Sequence, residues 1–186
     1  MAVFNLYVNT VQDFEGGFQK MSSDPGNYNS RKELVGTNHG ISAQTYERWL
    51  GYPPSELDMR SITKKIAIEI FESWYWNKIK GSLIKNQAVA ENIVDHAINS
   101  GVYGTSKLVQ RVLNNEFGKS LVVDGVIGIK TISEINKVDP LKLFKKISQY
   151  RLDYYKRINN KSWWNVWRNR VYSLAQKFNI PIEKKK

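Results

Sequence analysis

Glu15 is followed by Gly16-Gly17-Phe18, then by Asp24-Pro25-Gly26 and by Thr37-Asn38-His39-Gly40-Ile41-Ser42. A carboxylic acid with a second carboxylate nearby is the equipment for protonating a leaving oxygen while activating or replacing a nucleophile. Apolar residues at Phe4, Tyr7, Val8, Val11, Phe14 and Phe18 step by three and four, which reads as one helical stripe, and Glu15 falls on its margin. A carboxyl at the edge of an apolar face is partly desolvated. That disfavours its ionised form and prepares it to donate a proton near neutral pH. The plainer reading is a solvated Glu beside a Gly-Gly helix stop. Asp24 has two readings as well: a second catalytic carboxylate, or a turn residue bonded to its own backbone within Asp24-Pro25-Gly26-Asn27. Asp95 is a remoter carboxylate candidate.

These residues must be held by helices and one long loop. Helical periodicity recurs at Ile62, Ile66, Ile70 and Trp74, at Val89, Ile93 and Ala97, and at Leu108, Val109, Val112 and Leu113. Leu141, Phe144, Ile147, Tyr154 and Ile158 fit a long helix, and Trp163, Trp167, Val171, Leu174 and Phe178 a last one. Residues 20–40 are too polar and too marked by Gly and Pro to be regular, and loops of that length are usually functional or disordered. The expectation is an all-α fold. A boundary is expected near residue 103, giving parts 1–103 and 104–186.

The 186 residues carry a net charge of +11, unevenly spread. Residues 1–106 hold 10 Lys+Arg against 11 Asp+Glu, and residues 107–186 hold 18 against 6. The basic second half favours polyanions: nucleic acid, an anionic membrane surface, or a cell wall rich in carboxylates. The basic residues are scattered over several helices without a nucleic-acid recognition motif, so no nucleic-acid partner is expected. There are no cysteines and only two histidines, so neither a thiolate nor a His-rich metal site is expected, and no cofactor. No apolar run approaches a membrane span and no signal peptide is evident, so membrane insertion is not expected.

The signature Glu15-Gly16-Gly17-Phe18, Asp24-Pro25-Gly26 and Thr37-x-x-Gly40-Ile41-Ser42, with the aromatic cluster Trp74-Tyr75-Trp76, resembles glycoside hydrolase family 108, the phage endolysin-like N-acetylmuramidases. In the second half, Leu108-Val109-Gln110-Arg111, Asp124-Gly125-x-Ile127-Gly128-x-Lys130-Thr131, Arg151-x-x-Tyr154-Tyr155 and Trp167-Arg168-Asn169-Arg170-Val171 resemble the peptidoglycan-binding module that accompanies that family. Phe18 stands where the family usually has Tyr. Asn27 follows Asp24-Pro25-Gly26 where a second Gly is common, and the segment 28–36 is longer and more charged.

The resemblance implies a lysozyme-like helical N-terminal part with a long active-site loop, packed against a helical peptidoglycan-binding-like part. It implies hydrolysis of the glycan bond after N-acetylmuramic acid, with Glu15 as general acid and Asp24 as second carboxylate. By analogy with phage-type lysozymes, Thr37 positions a water; its alternative role is a local cap. His39 either touches substrate or fills a gap. Since Trp74 continues the stripe of Ile66 and Ile70, Tyr75 and Trp76 are the cleft candidates for stacking on sugar rings. Trp164 points about 100° away from the face of Trp163 and Trp167 and is freer to be exposed. The implied partner is peptidoglycan, reached from the cytoplasm without a signal peptide through a holin-type export partner; the sequence leaves oligomeric state open. The competing expectation is a non-catalytic cell-wall-binding or secretion-accessory protein.

Overall fold

A computed structural model describes residues 1–8 and 17–183, the side chain of Ser162 excepted. The protein is all-α: among the described residues, β pairing is limited to three isolated bridges, Gln19 with Thr37, Tyr28 with Leu34 and Asn38 with Ile41. None of these described helices is long and apolar enough to cross a membrane. The chain divides into two compact units, one of Phe4–Trp74 and one of Met1–Val3 with Tyr75–Lys186. The helix that ends at Ser100 thus packs in the second of these units.

In the first unit, residues 4–8 are helical (α1), with Phe4 and Tyr7 buried as the stripe predicts. Val11, Phe14 and Glu15 lie outside the described residues. Phe18 lies beyond any helix, in the loop. Three short helices follow the loop, each started by a hydroxyl that accepts from a backbone N–H left open in the first turn. Ser42 caps α2 (Ala43–Leu50), Ser55 caps α3 (Glu56–Ser61) in a reciprocal box with Asp58, and Thr63 caps α4 (Lys64–Phe71). Their inward faces, among them Tyr46, Met59, Ala67 and Ile70, are buried together with Ile41 from the loop.

The second unit is built around α5 (Gln87–Ser100), whose residues from Ala88 to Ala97 are all buried. It packs on α6 (Val102–Phe117) and α8 (Pro140–Ile158), and α8 also packs on α9 (Lys161–Lys177); α7 (Ile129–Lys137) lies against α6 and α8. A helix enclosed on all sides must satisfy its polar residues internally. Asn92 Nδ2 donates to Ser148 Oγ (2.9 Å) and to the Phe144 carbonyl (3.1 Å), and Glu91 pairs with Lys177 (2.7 Å). His96 Nδ1 lies 3.0 Å from the Tyr155 hydroxyl.

Burial, reinforced by the nearby Arg151 cation, holds the His96 imidazole well below its usual pKa. The folded protein thus keeps His96 neutral while the unfolded chain takes up a proton near pH 6.5, so stability rises with pH across this window. Below about pH 6.5 this one group should cost up to about 1.4 kcal/mol per pH unit until the folded-state value is reached. Urea midpoints measured from pH 7 to 5 should fall in the wild type and fall less in His96→Gln.

Candidate active site

The loop of residues 17–42 is organised by Gln19. Its backbone N–H donates to the Thr37 carbonyl and accepts in return through its own carbonyl, both at 2.9 Å. Its side-chain amide does four further things. Oε1 accepts from Asn27 Nδ2 (2.8 Å) and from the Met21 N–H (3.0 Å), while Nε2 donates to Asn27 Oδ1 (3.0 Å) and to Asp24 Oδ2 (3.1 Å). Asp24 Oδ1 accepts from the Gly26 N–H at 2.9 Å and so caps the short 3-10 turn Pro25–Asn27. One glutamine therefore joins two of the residues singled out from the sequence. The turn reading of Asp24 holds, but its second oxygen is tied to Gln19 rather than to its own backbone.

Thr37 is half-buried, and its Oγ1 is buried with no hydrogen-bond partner among the described residues. It caps nothing. Leaving a buried hydroxyl unpaired costs about 1–3 kcal/mol, so the position is one where an incoming polar group is favoured. Asn27 is fully buried; its carbonyl accepts from the Val35 and Gly36 N–H groups (2.8 and 3.0 Å), and its side chain also donates to the Met21 carbonyl (2.8 Å). Asn29 does the same work further out, bonding the backbone of Arg31 and Glu33, the Glu33 carboxylate and the Pro54 carbonyl. Side-chain amides replace the missing strand ladder, which is why so polar a segment stays ordered.

Phe18 is the wedge under this loop. Its ring sits where a Cβ on Gly36 would come within 2.6 Å, and the Arg60 guanidinium lies 3.8 Å from the ring centroid on the other contact. Gly36 has φ 99°, which disfavours any side chain, and a Cβ would also meet the Gln19 carbonyl at 2.8 Å. Gly36→Ala should therefore push apart the Gln19 and Thr37 pairing and cost about 1–3 kcal/mol. Activity should fall with it, whereas Gly51→Ala, at a positive φ but with open space around it, should lower stability alone.

His39 takes the left-handed position (φ 47°) in the turn that pairs Asn38 with Ile41, and is half-buried. The aromatic assignment needs correcting. Trp76 is fully buried, its indole N–H donates to Ser82 Oγ (2.8 Å), and Gly81 packs so closely on its ring that a Cβ there would lie 2.5 Å away. No ring face is left for a sugar. Tyr75 is half-buried. The helix widens to a π turn over Glu72–Trp76, and the change of residues per turn moves the buried register from Trp74 to Trp76. Trp74 is instead only half-buried, paired with Trp49 (centroids 5.7 Å apart) and covered by Arg48 at 5.4 Å.

Asp95 is also removed from the list of catalytic carboxylates. It is 3% exposed, with Oδ1 bound to Arg170 Nε (2.6 Å) and Oδ2 to Arg151, which is itself fully buried. Burial alone would raise this carboxyl, but the two guanidinium groups together hold it below its ordinary value.

A family model described as glycosyl hydrolase 108 matches residues 8–101, half of the sequence, and begins on the segment that carries Glu15, Asp24 and Thr37. The chain belongs to the glycosyl hydrolase 108 family. A second model, described as a predicted peptidoglycan domain, matches residues 104–173 of this glycosyl hydrolase. The structure of SagA from Brucella abortus is similar to it with a TM-score of 0.82 at 27% identity, covering 95% of this chain and 94% of that one. No curated protein matches. The family and its companion domain make the chain a glycoside hydrolase that acts on peptidoglycan.

In this glycosyl hydrolase the second-half motifs do structural work. Gln110 Nε2 donates to Asp124 Oδ1 (2.7 Å) and to the Val126 carbonyl (3.0 Å), and its Oε1 accepts from the Gly125 N–H (3.0 Å). Gly125, at φ 82°, lies against the Tyr103 ring. Arg151 and Arg170 hold Asp95, and Tyr155 stacks on Trp167 at 5.1 Å. Trp164, expected to be freer to be exposed than Trp163 and Trp167, is half-buried like both of them and packs with Trp167 on the cluster of Leu152, Tyr155 and Val171.

Proposed function

We propose that this glycoside hydrolase is an N-acetylmuramidase in which Glu15 is the general acid and Asp24 and Thr37 act on the nucleophile side of the sugar. The observation that carries the reading is the clasp of Gln19, which bonds the Asp24 carboxylate through its side chain and the Thr37 backbone through its own, four residues after Glu15. Glu15 protonates the leaving oxygen as the glycosidic bond breaks. Asp24, oriented by Gln19 and the Gly26 N–H, stabilises the oxocarbenium-like transition state or takes the proton of the attacking water. The unpartnered Thr37 hydroxyl supplies a hydrogen bond that orients that water. The half-buried Trp49 and Trp74 offer apolar surface for pyranose rings, with the Arg48 guanidinium over the Trp74 ring.

Each role predicts a separate kinetic effect on purified cell walls. Thr37→Ala should lower turnover by about tenfold to a hundredfold with wall affinity unchanged, because orienting a water acts on the reacting atoms alone. Asp24→Asn keeps the Gly26 contact and should cost more than Thr37→Ala. Equal turnover of both variants and wild type would contradict the assignment. Wall binding without release of reducing ends from the wild type would favour a non-catalytic wall-binding protein instead.

A further inference from the structure

Gln110, Asp124, Arg151 and Arg170 of the motifs in the second unit are engaged in internal hydrogen bonds and ion pairs, whereas Lys130 of the same motifs is exposed and free to meet a ligand. A groove of about 570 Å³ in that unit runs between residues 118–121, after α6, and the outer face of α7. Its walls are of two kinds. Leu121 and Ile129 are apolar, and Ile129 is 67% exposed, so its side chain is open to a ligand. Lys119, Lys130 and Lys137 are cationic, against one acid. That acid, Glu134, is already engaged by Lys119 (2.9 Å) and Lys137 (2.8 Å), which leaves the groove with an excess of two positive charges.

We infer that this groove binds the peptide stem of peptidoglycan rather than its glycan strand. The inference rests on the match of residues 104–173 to a peptidoglycan domain. A neutral N-acetylated sugar chain is recognised by exposed aromatic faces and amides, and this groove has neither. A stem peptide carries alanine methyl groups and free carboxylates, which match the Leu121 and Ile129 wall and the lysine side chains. The carboxylates approach Lys130 and the lysine pair at Glu134, while the methyl groups cover Ile129. The catalytic unit would then work on the glycan while the second unit holds the peptides that branch from it.

Nitrogen-15 NMR titration of the full chain tests this with two probes, a free stem tetrapeptide and a peptide-free chitooligosaccharide. The tetrapeptide should shift the amide resonances of Ile129, Lys130 and Ser133 in a saturable way, and the oligosaccharide should leave them unmoved. Lys130→Glu and Ile129→Ser should each weaken tetrapeptide binding by at least about fivefold. Neither threatens folding, since both side chains are exposed and an acid in a first helical turn is favourable. Sedimentation with intact sacculi separates the two ways of failing. A chain that sediments with sacculi but whose groove resonances ignore the tetrapeptide overturns the groove inference alone. A chain that does not sediment overturns the peptidoglycan reading with it.

Discussion

Glu15→Gln should lower turnover on purified cell walls by about 10²–10⁴-fold and leave wall binding unchanged. The amide matches the carboxyl in size and can still donate a weak hydrogen bond, but it cannot deliver a proton to a departing sugar oxygen. The loss should therefore appear in turnover rather than in affinity. Wall binding should persist because the domain matched as peptidoglycan-recognising lies at residues 104–173, away in sequence from the acid. Turbidity clearing, paired with sedimentation of the variant with sacculi, separates the two quantities. A variant that clears walls as fast as wild type shows that Glu15 is not the acid, whatever else the loop does.

The second large effect concerns folding. Asp95→Ala should destabilise the protein by about 3–5 kcal/mol, because it takes the carboxylate from the fully buried Arg151 guanidinium. Thermal unfolding should show the loss even in conditions where activity is still measurable. The same pairing carries a pH signature. The folded-state carboxyl lies below its unfolded value, so its contribution is fully present above the ordinary carboxylate range and disappears as pH falls through the folded-state value. Its acid dependence therefore begins lower than that of His96, which titrates in the unfolded chain near pH 6.5. Retention of normal stability by Asp95→Ala would mean that Arg151 finds another partner, and the core of the second unit would need a different account.

The all-α architecture was legible because helix stripes survive in sequence wherever one face is buried. Ile70, Val109, Val112, Phe144 and Ile147 are buried as their spacing predicts. The stripe failed at Trp74 for a definite reason. A π turn is not encoded by apolar periodicity, and the extra residue per turn exchanges the exposures of Trp74 and Trp76. Asp95 misled for another: an acid in a helix reads as surface until its partners, 56 and 75 residues away, are known. Gln19 left no signal at all. A lone glutamine between Phe18 and Lys20 has no period or motif, and its importance comes from six hydrogen bonds to residues that follow it in the loop. The run of Asn27, Asn29 and Asn38 was the readable clue that side-chain amides, not strands, would order this loop.

The central claim is that the scissile bond is the one after N-acetylmuramic acid. Digestion of purified sacculi, reduction of the products with borohydride and mass spectrometry of the released disaccharide peptides identifies the new reducing end. The account predicts that the reduced sugar is N-acetylmuramitol. Reduced N-acetylglucosamine, or a 1,6-anhydro end that resists reduction, would contradict it.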